Sequence, residues 1–326
     1  MSAPRMQVPA RRREVVVNGR RVKTIDVHAH CAVPEAMALM GKTVEPPSLL
    51  MSRAAMDEQG IDVEALSINP YWYGADRGVA RELIRIQNEK LAEACAAEPD
   101  RFVGFASVAL QHPDLAAEQL EDGVRTYGLR GALIGGSVNG EELADPKFHP
   151  FWAKAEQLGA LIFIHPQGTA ELNATSRLKG SGGLDNVVGN PLETTIALSH
   201  LIFEGTLDRF PGLKICAAHG GGYLPSYAAR SDAVGTTFPD RVTRPLKKKP
   251  TEYLRQLYFD SLVFTPEGLR HLVAETGASQ IVMGTDFPYP WTRTAVDHIL
   301  DTPGLSDADR VAILGRTAAT LLGIKA

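Results

Sequence analysis

Short apolar runs alternate with amphipathic segments eight times along this chain, and no other feature restricts the possible folds as much. Parallel strands that are buried on both faces have nearly continuous apolar sequences of this kind. The eight strand candidates span residues 24–30, 63–69, 102–109, 131–135, 161–165, 214–219, 257–262 and 280–285. Because helical patterns separate them, the sequence predicts an α/β fold built on a parallel sheet.

The segments between these runs have the residue spacing of helices. In residues 79–97, Leu83, Ile86 and Leu91 fall on one side of a helix. Similar patterns cover residues 192–207, 268–276 and 307–322. Eight strand–helix units in 326 residues favour a closed (β/α)₈ barrel (TIM barrel) over an open doubly wound sheet.

The start of the chain predicts a tail and a short β-hairpin ahead of the barrel. Asn18-Gly19 lies between two β-branched runs, which is the pattern of a type I′ hairpin turn. A partly ordered basic tail is the alternative. The segment is rich in arginine but lacks the apolar stretch of a secretory signal, which favours a cytoplasmic location. We therefore expect a tail and hairpin in residues 1–23 and the barrel in residues 24–326.

Two segments fit no strand–helix repeat. Residues 34–48 follow the first strand and residues 167–189 follow the fifth, on the face where barrel active sites are built. We expect both to be insertion loops that cover a substrate at the carboxyl-terminal face. Tolerated surface insertions are the alternative.

Composition excludes several other classes of protein. The 34 Lys and Arg residues are balanced by 38 Asp and Glu residues, whereas nucleic-acid-binding domains are usually basic. No apolar run approaches the roughly 20 residues that cross a membrane. Three cysteines allow neither a disulfide framework nor a cysteine zinc cluster. We expect no nucleic-acid or membrane partner, and the nine histidines become the main source of chemistry.

Histidine and aspartate side chains follow the strand candidates at equivalent positions. His28 and His30 end the first strand, His165 the fifth, His219 the sixth and Asp286 the eighth. Side chains two residues apart on a strand point to the same face, so His28 and His30 can both reach the barrel mouth. Imidazoles with a carboxylate suit a zinc-like divalent ion. Structural roles are predicted for the others, His112, His149, His200, His271 and His298.

Several motifs in the chain resemble the amidohydrolase superfamily, and within it the branch around aminocarboxymuconate semialdehyde decarboxylase. The resemblance extends from about Thr24 to Gly323. It is carried by Asp26-Val27-His28-Ala29-His30, Met56-Asp57-Glu58-Gln59-Gly60-Ile61-Asp62, Arg101-Phe102-Val103-Gly104, Ile164-His165-Pro166, Asn190-Pro191-Leu192-Glu193-Thr194-Thr195, Ala218-His219-Gly220-Gly221-Gly222 and Gly284-Thr285-Asp286-Phe287-Pro288.

The resemblance implies a catalytic centre with one divalent metal ion, zinc or alternatively manganese. It assigns the ligands as His28, His30, His165 and Asp286 and makes His219 the catalytic acid/base. Binuclear members need a bridging lysine or glutamate after the fourth strand, and this chain has Gly135-Gly136 there. A single ion is therefore expected.

The resemblance also implies a homodimer. Arg230 matches an arginine that reaches into the neighbouring subunit's site and binds a substrate carboxylate. The chain departs from the family in two places: Lys42 is the only cation near a second arginine position, and Gln167-Gly168 replaces a bulky Trp-Asp pair. Because lysine is a point charge and not a bidentate fork, we expect a different substrate pocket.

The sequence thus predicts a metal-dependent, non-oxidative decarboxylase of an aromatic or unsaturated carboxylic acid, acting in aromatic-compound degradation. A metal-dependent hydrolase is the first alternative, acting on a carbon–carbon bond of a ring-cleavage product, an ester or a lactone. A non-catalytic ligand-binding barrel is the second. The predicted substrate-binding residues are Arg230, Lys42, Tyr71, Trp72 and Phe287.

Overall fold

The computed structural model describes residues 12–43, 53–168 and 177–325. The strands of these residues are β1 (Val16–Val17), β2 (Arg20–Arg21), β3 (Ile25–His30), β4 (Val63–Ser67), β5 (Phe102–Gly104), β6 (Gly131–Gly135), β7 (Ser137–Val138), β8 (Glu141–Glu142), β9 (Leu161–His165), β10 (Lys214–Ala217), β11 (Leu257–Asp260) and β12 (Ile281–Val282). Eight of them are parallel, and they correspond to the eight apolar runs of the sequence.

The eight parallel strands close into a ring. Ladders join β3, β4 and β5 in one sheet and β6, β9, β10, β11 and β12 in another. One seam between the sheets is bridged by Ala106 N, which donates to Gly131 O at 2.8 Å. The other is bridged by Val27 N, which donates to Met283 O at 2.9 Å. The predicted (β/α)₈ barrel is confirmed.

Helices follow the strands and cover the outside of the barrel. Their starts carry the expected caps: the Asp76 carboxylate accepts from Val79 N at 2.9 Å, and the Thr265 hydroxyl accepts from Gly268 N at 3.0 Å. None of the helices in the described ranges is long and apolar enough to cross a membrane. The helices are Pro34–Ala38, Arg53–Gln59, Arg77–Ala97, Pro113–Arg125, His149–Leu158, Asn190–Phe203, Thr206–Arg209, Leu224–Tyr227, Ala229–Thr237, Pro266–Thr276, Ala295–Asp301, Asp307–Val311 and Thr317–Leu322.

Aromatic and aliphatic side chains fill the barrel interior. Phe105 and Phe163 are fully buried there, with ring centroids 6.1 Å apart and nearly parallel planes. The Phe163 ring also lies 5.0 Å from the ring of His28. The histidines at the mouth therefore rest directly on the apolar core.

The amino-terminal hairpin packs onto the barrel. Strands β1 and β2 pair antiparallel around Asn18 and Gly19, whose φ angles of 49° and 72° are those of the predicted turn. Val15, Val17 and Val22 are buried in the main apolar core. A division of the chain at residue 23 stays a prediction.

Some strands are shorter than the sequence predicts. The run 280–285 forms a ladder only over Ile281–Val282, because from Met283 onward its backbone pairs with β3 through isolated hydrogen bonds. The run 102–109 likewise ends its ladder at Gly104 and continues through one bridge at Ala106. Parts of the two predicted covering loops, residues 44–48 and 169–176, lie outside the described residues.

Candidate metal centre and cavity

The first strand of the barrel carries two histidines into the mouth through a local irregularity. Strand β3 pairs with β4 in register at Asp26 and again at Ala29, with a shift between them that marks a β-bulge. Bulges redirect side chains and occur often beside active sites. Both His28 and His30 are buried, with 0% and 6% of their side chains exposed.

Four predicted ligands converge on one point. His28 Nε2 lies 3.2 Å from His30 Nε2, and each lies 3.0 Å from Asp286 Oδ1. His165 Nε2 lies 3.8 Å from the same carboxylate oxygen. Ligand atoms about 2.1 Å from one zinc-like ion are themselves roughly 3.4 Å apart in a tetrahedral site. The spacing therefore fits a single divalent ion.

Hydrogen bonds orient each imidazole so that Nε2 faces this point. His28 Nδ1 lies 2.6 Å from Asp260 Oδ2, and His165 Nδ1 lies 2.9 Å from the carbonyl oxygen of Pro166. His30 Nδ1 lies 3.1 Å from the Ser67 hydroxyl, whose own hydrogen goes to a backbone carbonyl. Partners of this kind fix the tautomer of metal-bound histidines.

The charges of the cluster also suit a cation. Burial lowers the pKa of His28, but the Asp286 and Asp260 carboxylates outweigh burial and raise that pKa to about 10. Burial lowers the pKa of His30 to about 4 and holds the pKa of His165 well below its usual range. The two carboxylates thus favour a positive charge at His28, and a divalent ion bound there would take the place of the proton. His165 Nε2 is buried and has no hydrogen-bond partner among the described residues, as expected for a free metal ligand.

His219 stands beside the cluster at the edge of a cavity. Its backbone has a left-handed φ of 55°, and its N–H donates to Asp260 Oδ2 at 2.9 Å. The ring nitrogen Nε2 lies 3.4 Å from Asp286 Oδ2. With 17% of its side chain exposed, it is more accessible than His28 or His165. This placement is compatible with proton transfer to a ligand in the cavity.

The geometry brings all five polar residues together and leaves the division of roles open. Potential ligand atoms of His28, His165, His219 and Asp286 lie within 4.8 Å of one another, and His30 is close to two of these residues. The assignment of His30 as ligand and His219 as acid/base therefore stays a prediction.

Asp260 organises this centre, although the sequence analysis did not single it out. Its carboxylate contacts His28 Nδ1 and accepts from the backbone N–H groups of His219 and Gly220 at 2.9 Å each. The available signal was a polar residue at the end of an apolar strand, the same signal that identified Asp286.

A cavity of about 580 Å³ opens above the cluster. Its wall contains carboxamides, aromatic rings and the inner faces of the cluster residues. A π-helical turn at Asp185–Gly189, a geometry that is frequent at functional sites, places Asn186 and Val187 at the rim of the cavity. The cavity is lined by Asn69, His165, Pro166, Gln167, Asn186, Val187, Asn190, Pro191, His219, Phe264, Asp286, Tyr289 and Trp291.

Two glycines at the end of β6, Gly135 and Gly136, leave space for the side chains of Gln167 and Glu193. A Cβ atom at Gly135 would lie 3.0 Å from Gln167 Cγ, and one at Gly136 would lie 2.8 Å from Glu193 Cγ. Glu193 Oε2 accepts from the backbone N–H groups of Gln167 and Gly168 at 2.6 and 2.5 Å. A two-metal centre would need a bridging side chain at about this point after the fourth barrel strand. In this chain the side chains of Gln167 and Glu193 pack against the two glycines there.

Three predicted substrate-binding residues lie away from this cavity wall. Trp72 is fully buried in the core, and its indole N–H donates to Val108 O at 2.9 Å. Tyr71 is half-buried, and Lys42 is exposed with its ammonium 5.9 Å from the Tyr71 ring centroid. None of these three residues lines the cavity within the described structure, so their role in substrate binding stays a prediction.

Phe287 and Arg230 also face other surroundings. Phe287 packs against the main apolar core and lines a separate pocket near Ala55. Arg230 is exposed on the helix Ala229–Thr237, with its guanidinium 5.8 Å from the Tyr227 ring centroid. It lines a groove of about 850 Å³ beside the cavity and does not line the cavity of its own chain.

The chain is similar to known proteins over most of its length. It is 30% identical to 2-amino-3-carboxymuconate-6-semialdehyde decarboxylase of Dictyostelium discoideum over 312 residues, which cover 92% of this chain and 85% of the relative. It is 33% identical to gamma-resorcylate decarboxylase of a Rhizobium species over 282 residues, which cover 82% and 84%.

A solved structure has the same fold. The dihydroxybenzoic acid decarboxylase of Polaromonas sp. JS666, with bound manganese and the inhibitor 2-nitroresorcinol, superposes with a TM-score of 0.81 at 27% identity. The superposition covers 94% of this chain and 98% of that chain.

The fold and the site define a (β/α)₈ barrel with a divalent-metal centre at the carboxyl ends of its strands. A family model described as amidohydrolase matches residues 25–324. The chain belongs to the amidohydrolase family.

Proposed function

We propose that this protein is a cytoplasmic, metal-dependent, non-oxidative decarboxylase of an aromatic or unsaturated carboxylic acid, acting in aromatic-compound degradation. The observation that carries the proposal is the cluster of His28, His30, His165 and Asp286, with His219 between it and a cavity of ligand size. The names of both relatives and of the solved structure, all decarboxylases, support the reaction class.

One divalent ion is proposed for the cluster, zinc by the donor set or manganese by the solved relative. His28, His30, His165 and Asp286 would hold it. Bound there, such an ion polarises a substrate oxygen as a Lewis acid.

His219 is proposed to move the proton. In decarboxylation the carbon–carbon bond to the carboxyl group breaks, carbon dioxide leaves, and the ring carbon that keeps the electron pair takes a proton. An imidazole at the cavity wall is a suitable acid/base for this step at neutral pH. Asp260 fixes the position of His219 through two backbone hydrogen bonds, at His219 N and Gly220 N.

Arg230 is proposed to serve the site of a second copy in a homodimer. Its exposure on a helix without buried residues supports a role outside its own chain. A guanidinium would bind the substrate carboxylate through charge-assisted hydrogen bonds.

Product analysis tests the reaction. The metal-loaded protein should release one carbon dioxide per substrate consumed from at least one member of a panel of aromatic acids and ring-cleavage products. Incorporation of ¹⁸O from labelled water into a new carboxylate, without carbon dioxide, would identify the hydrolase alternative instead. Binding without turnover across the panel would favour the ligand-binding barrel.

Paired substitutions test the two histidine roles. His30→Ala should lose metal and turnover together, whereas His219→Ala should keep metal and lose turnover. Metal content by mass spectrometry separates the two results. Loss of metal from His219→Ala with full retention in His30→Ala would reverse the assignment.

Mixed dimers test the role of Arg230. Arg230→Ala and His219→Ala proteins should each be inactive, and mixing them should restore part of the activity if each site combines residues of two chains. A monomer in sedimentation analysis, or no recovery after proven subunit exchange, would contradict the proposal.

A further inference from the structure

The peptide unit between Pro166 and Gln167 connects a buried carboxylate to one of the predicted metal ligands. Its C=O accepts a hydrogen bond from His165 Nδ1 at 2.9 Å, and its N–H donates to Glu193 Oε2 at 2.6 Å. We infer, on the basis of the single-ion centre in the proposed function, that Glu193 is a positioning residue of that centre and acts on His165 through this peptide unit.

The contact with Pro166 determines which ring nitrogen of His165 is free. Because a carbonyl oxygen only accepts, Nδ1 carries the ring hydrogen in this contact and Nε2 keeps its lone pair. Nε2 is buried without a hydrogen-bond partner among the described residues, and it lies 3.8 Å from Asp286 Oδ1 in the cluster. The direction of the Pro166 carbonyl therefore affects where the lone pair of His165 points.

Glu193 holds the same peptide unit from its other side. The C=O and N–H of one peptide unit lie in one plane, so a partner that fixes the N–H also fixes the direction of the C=O. Glu193 Oε2 accepts from Gly168 N as well, at 2.5 Å, and Oε1 accepts from the Ser137 hydroxyl at 3.3 Å. Rotation of the peptide plane would break its bond to Glu193 as well as its bond to His165.

The charge of Glu193 adds to the effect of its position. A carboxylate at the N–H end of a peptide unit polarises that unit and strengthens the hydrogen bond that its C=O accepts. An imidazole whose Nδ1–H is held more strongly is a more basic metal ligand at Nε2. His28 has a carboxylate partner directly, since its Nδ1 lies 2.6 Å from Asp260 Oδ2. Glu193 gives His165 a similar partner one peptide unit away.

The burial of Glu193 argues against a role in holding the chain alone. Only 4% of the residue is exposed, and burial raises its pKa to about 7, so ionisation of this carboxyl is costly in the fold. An uncharged glutamine could accept the same backbone hydrogen bonds without this cost. A carboxylate at this position is explained when a metal ligand lies one peptide unit away.

Chelator competition for zinc tests the inference at pH 8, where the Glu193 carboxylate is ionised. Glu193→Leu should raise the zinc dissociation constant about 10–100-fold, and Glu193→Gln, which keeps the acceptor, about threefold. Unchanged zinc affinity of a folded leucine variant, or equal losses in the two variants, would overturn the inference. If the leucine variant does not fold, Glu193→Asp replaces it, since its shorter carboxylate no longer reaches the peptide N–H. About tenfold weaker zinc binding is then expected, and unchanged binding would overturn the inference equally.

Glu156 offers a matched control for these variants. Its Oε1 also accepts from a backbone N–H, that of Gly212, at 2.7 Å, but Gly212 precedes β10 and so lies at the amino ends of the strands. Glu156→Leu should change zinc affinity less than about twofold. An equal loss in Glu156→Leu and Glu193→Leu would overturn the inference. Failure of the unmodified protein to bind zinc or manganese would contradict the proposed metal centre too, whereas the other adverse outcomes contradict this inference alone.

Proton exchange at the ligand rings tests the path through the peptide unit. In the cobalt(II)-loaded protein, the ring N–H protons of ligating histidines give separate, paramagnetically shifted NMR signals. In Glu193→Leu one of three such protons should exchange with solvent about tenfold faster, because the bond to the Pro166 carbonyl is weakened. The other two, held by Asp260 and Ser67, should be unchanged. Equal acceleration of all three, or of none, would overturn the inference.

Discussion

The Asp260 carboxylate contacts the imidazole of His28 and accepts hydrogen bonds from two backbone N–H groups. A substitution at Asp260 should therefore disturb the geometry of the metal centre. Asp260→Asn keeps the size but removes the charge and sets an amide group against donors. We expect the metal dissociation constant to rise about 10–100-fold, as for other residues that orient metal ligands. Competition with a chelator of known affinity measures the change.

The control for this substitution is Asp76→Asn, because Asp76 caps a helix start and asparagine caps equally well. Its metal affinity should equal that of the unmodified protein. If Asp260→Asn folds and also binds metal normally, the carboxylate does not orient the centre.

Glu193 makes stability depend on pH. Burial raises its pKa to about 7, against about 4.3 in an unfolded chain. Between these values the folded state binds more protons than the unfolded state. The free energy of unfolding therefore decreases as pH rises, and the stabilisation is lost by about pH 7. The whole effect amounts to roughly 4 kcal/mol.

Glu193→Gln removes this dependence, because a carboxamide oxygen can accept from Gln167 N and Gly168 N without ionising. Relative to the unmodified protein, the variant should gain roughly 3 kcal/mol between pH 5 and pH 8 in urea unfolding with saturating metal. Titration of the metal ligands is common to both proteins and cancels in this difference. Parallel stability curves would show that Glu193 stays ionised in the fold.

Individual residues were predictable from sequence when they ended an apolar strand. His28, His165 and Asp286 follow buried runs, where a polar side chain needs a partner. Asn69 lies two residues past the end of β4, and only the folded structure shows that its Oδ1 is buried without a hydrogen-bond partner among the described residues. Trp72 is fully buried in the core, and an aromatic residue in a turn has the same sequence pattern whether it packs there or binds a ligand.

The turn after β10 is an element that glycine makes possible. Gly222 has a φ of 66°, and a Cβ atom there would lie 2.1 Å from the carbonyl oxygen of Pro191. Gly222→Ala should therefore lower the free energy of unfolding by about 3 kcal/mol, from backbone strain and overlap together. Equilibrium urea unfolding measures this loss.

Gly128 is a matched control, since its φ is 68° and nothing lies within 4 Å of its Cβ position. Gly128→Ala should cost about 1 kcal/mol, the strain alone. Equal losses in the two variants would mean that the contact with Pro191 adds nothing.

Elements were easier to predict than their ends. The apolar runs marked all eight barrel strands, because burial on both faces demands continuous apolar sequence. The ends of β5 and β12 were missed, since a ladder stops where the neighbouring strand diverges and not where apolarity stops. The bulge in β3, between Asp26 and Ala29, gave no sequence signal, although His28 lies within it.

The predicted ion ties together one of the two seams of the barrel. His28 and His30 lie on β3, and Asp286 follows β12, across the seam where Asp286 N donates to His28 O at 2.7 Å. Chelation should raise amide hydrogen exchange at Val27 and Asp286 by about tenfold or more, because local opening becomes easier.

The other seam is an internal control for this measurement. The amides of Ala106 and Leu133 bond across it at 2.8 and 3.2 Å, away from the ligands. Their exchange should be unchanged by chelation. Equal acceleration at both seams would indicate that the ion stabilises the whole barrel uniformly, and no change at either would argue against the ion.

At the level of the whole molecule, periodicity and strand-end residues were sufficient to predict the barrel and a cluster of histidine and aspartate side chains at its mouth. The division of that cluster into four ligands and an acid/base came from the family resemblance and stays a prediction. The barrel and the cluster both depend on local rules: buried strands are apolar, and a polar group at their ends needs a partner. The tertiary structure decided which residues line the same cavity, because those residues come from segments far apart in the chain. Three contacts form only when residues far apart in the chain meet. The Asp260 carboxylate contacts His28 Nδ1, the Glu193 carboxylate accepts from Gln167 N, and the Trp72 indole donates to Val108 O. Such contacts follow from the closure of the ring, which no single segment of sequence encodes.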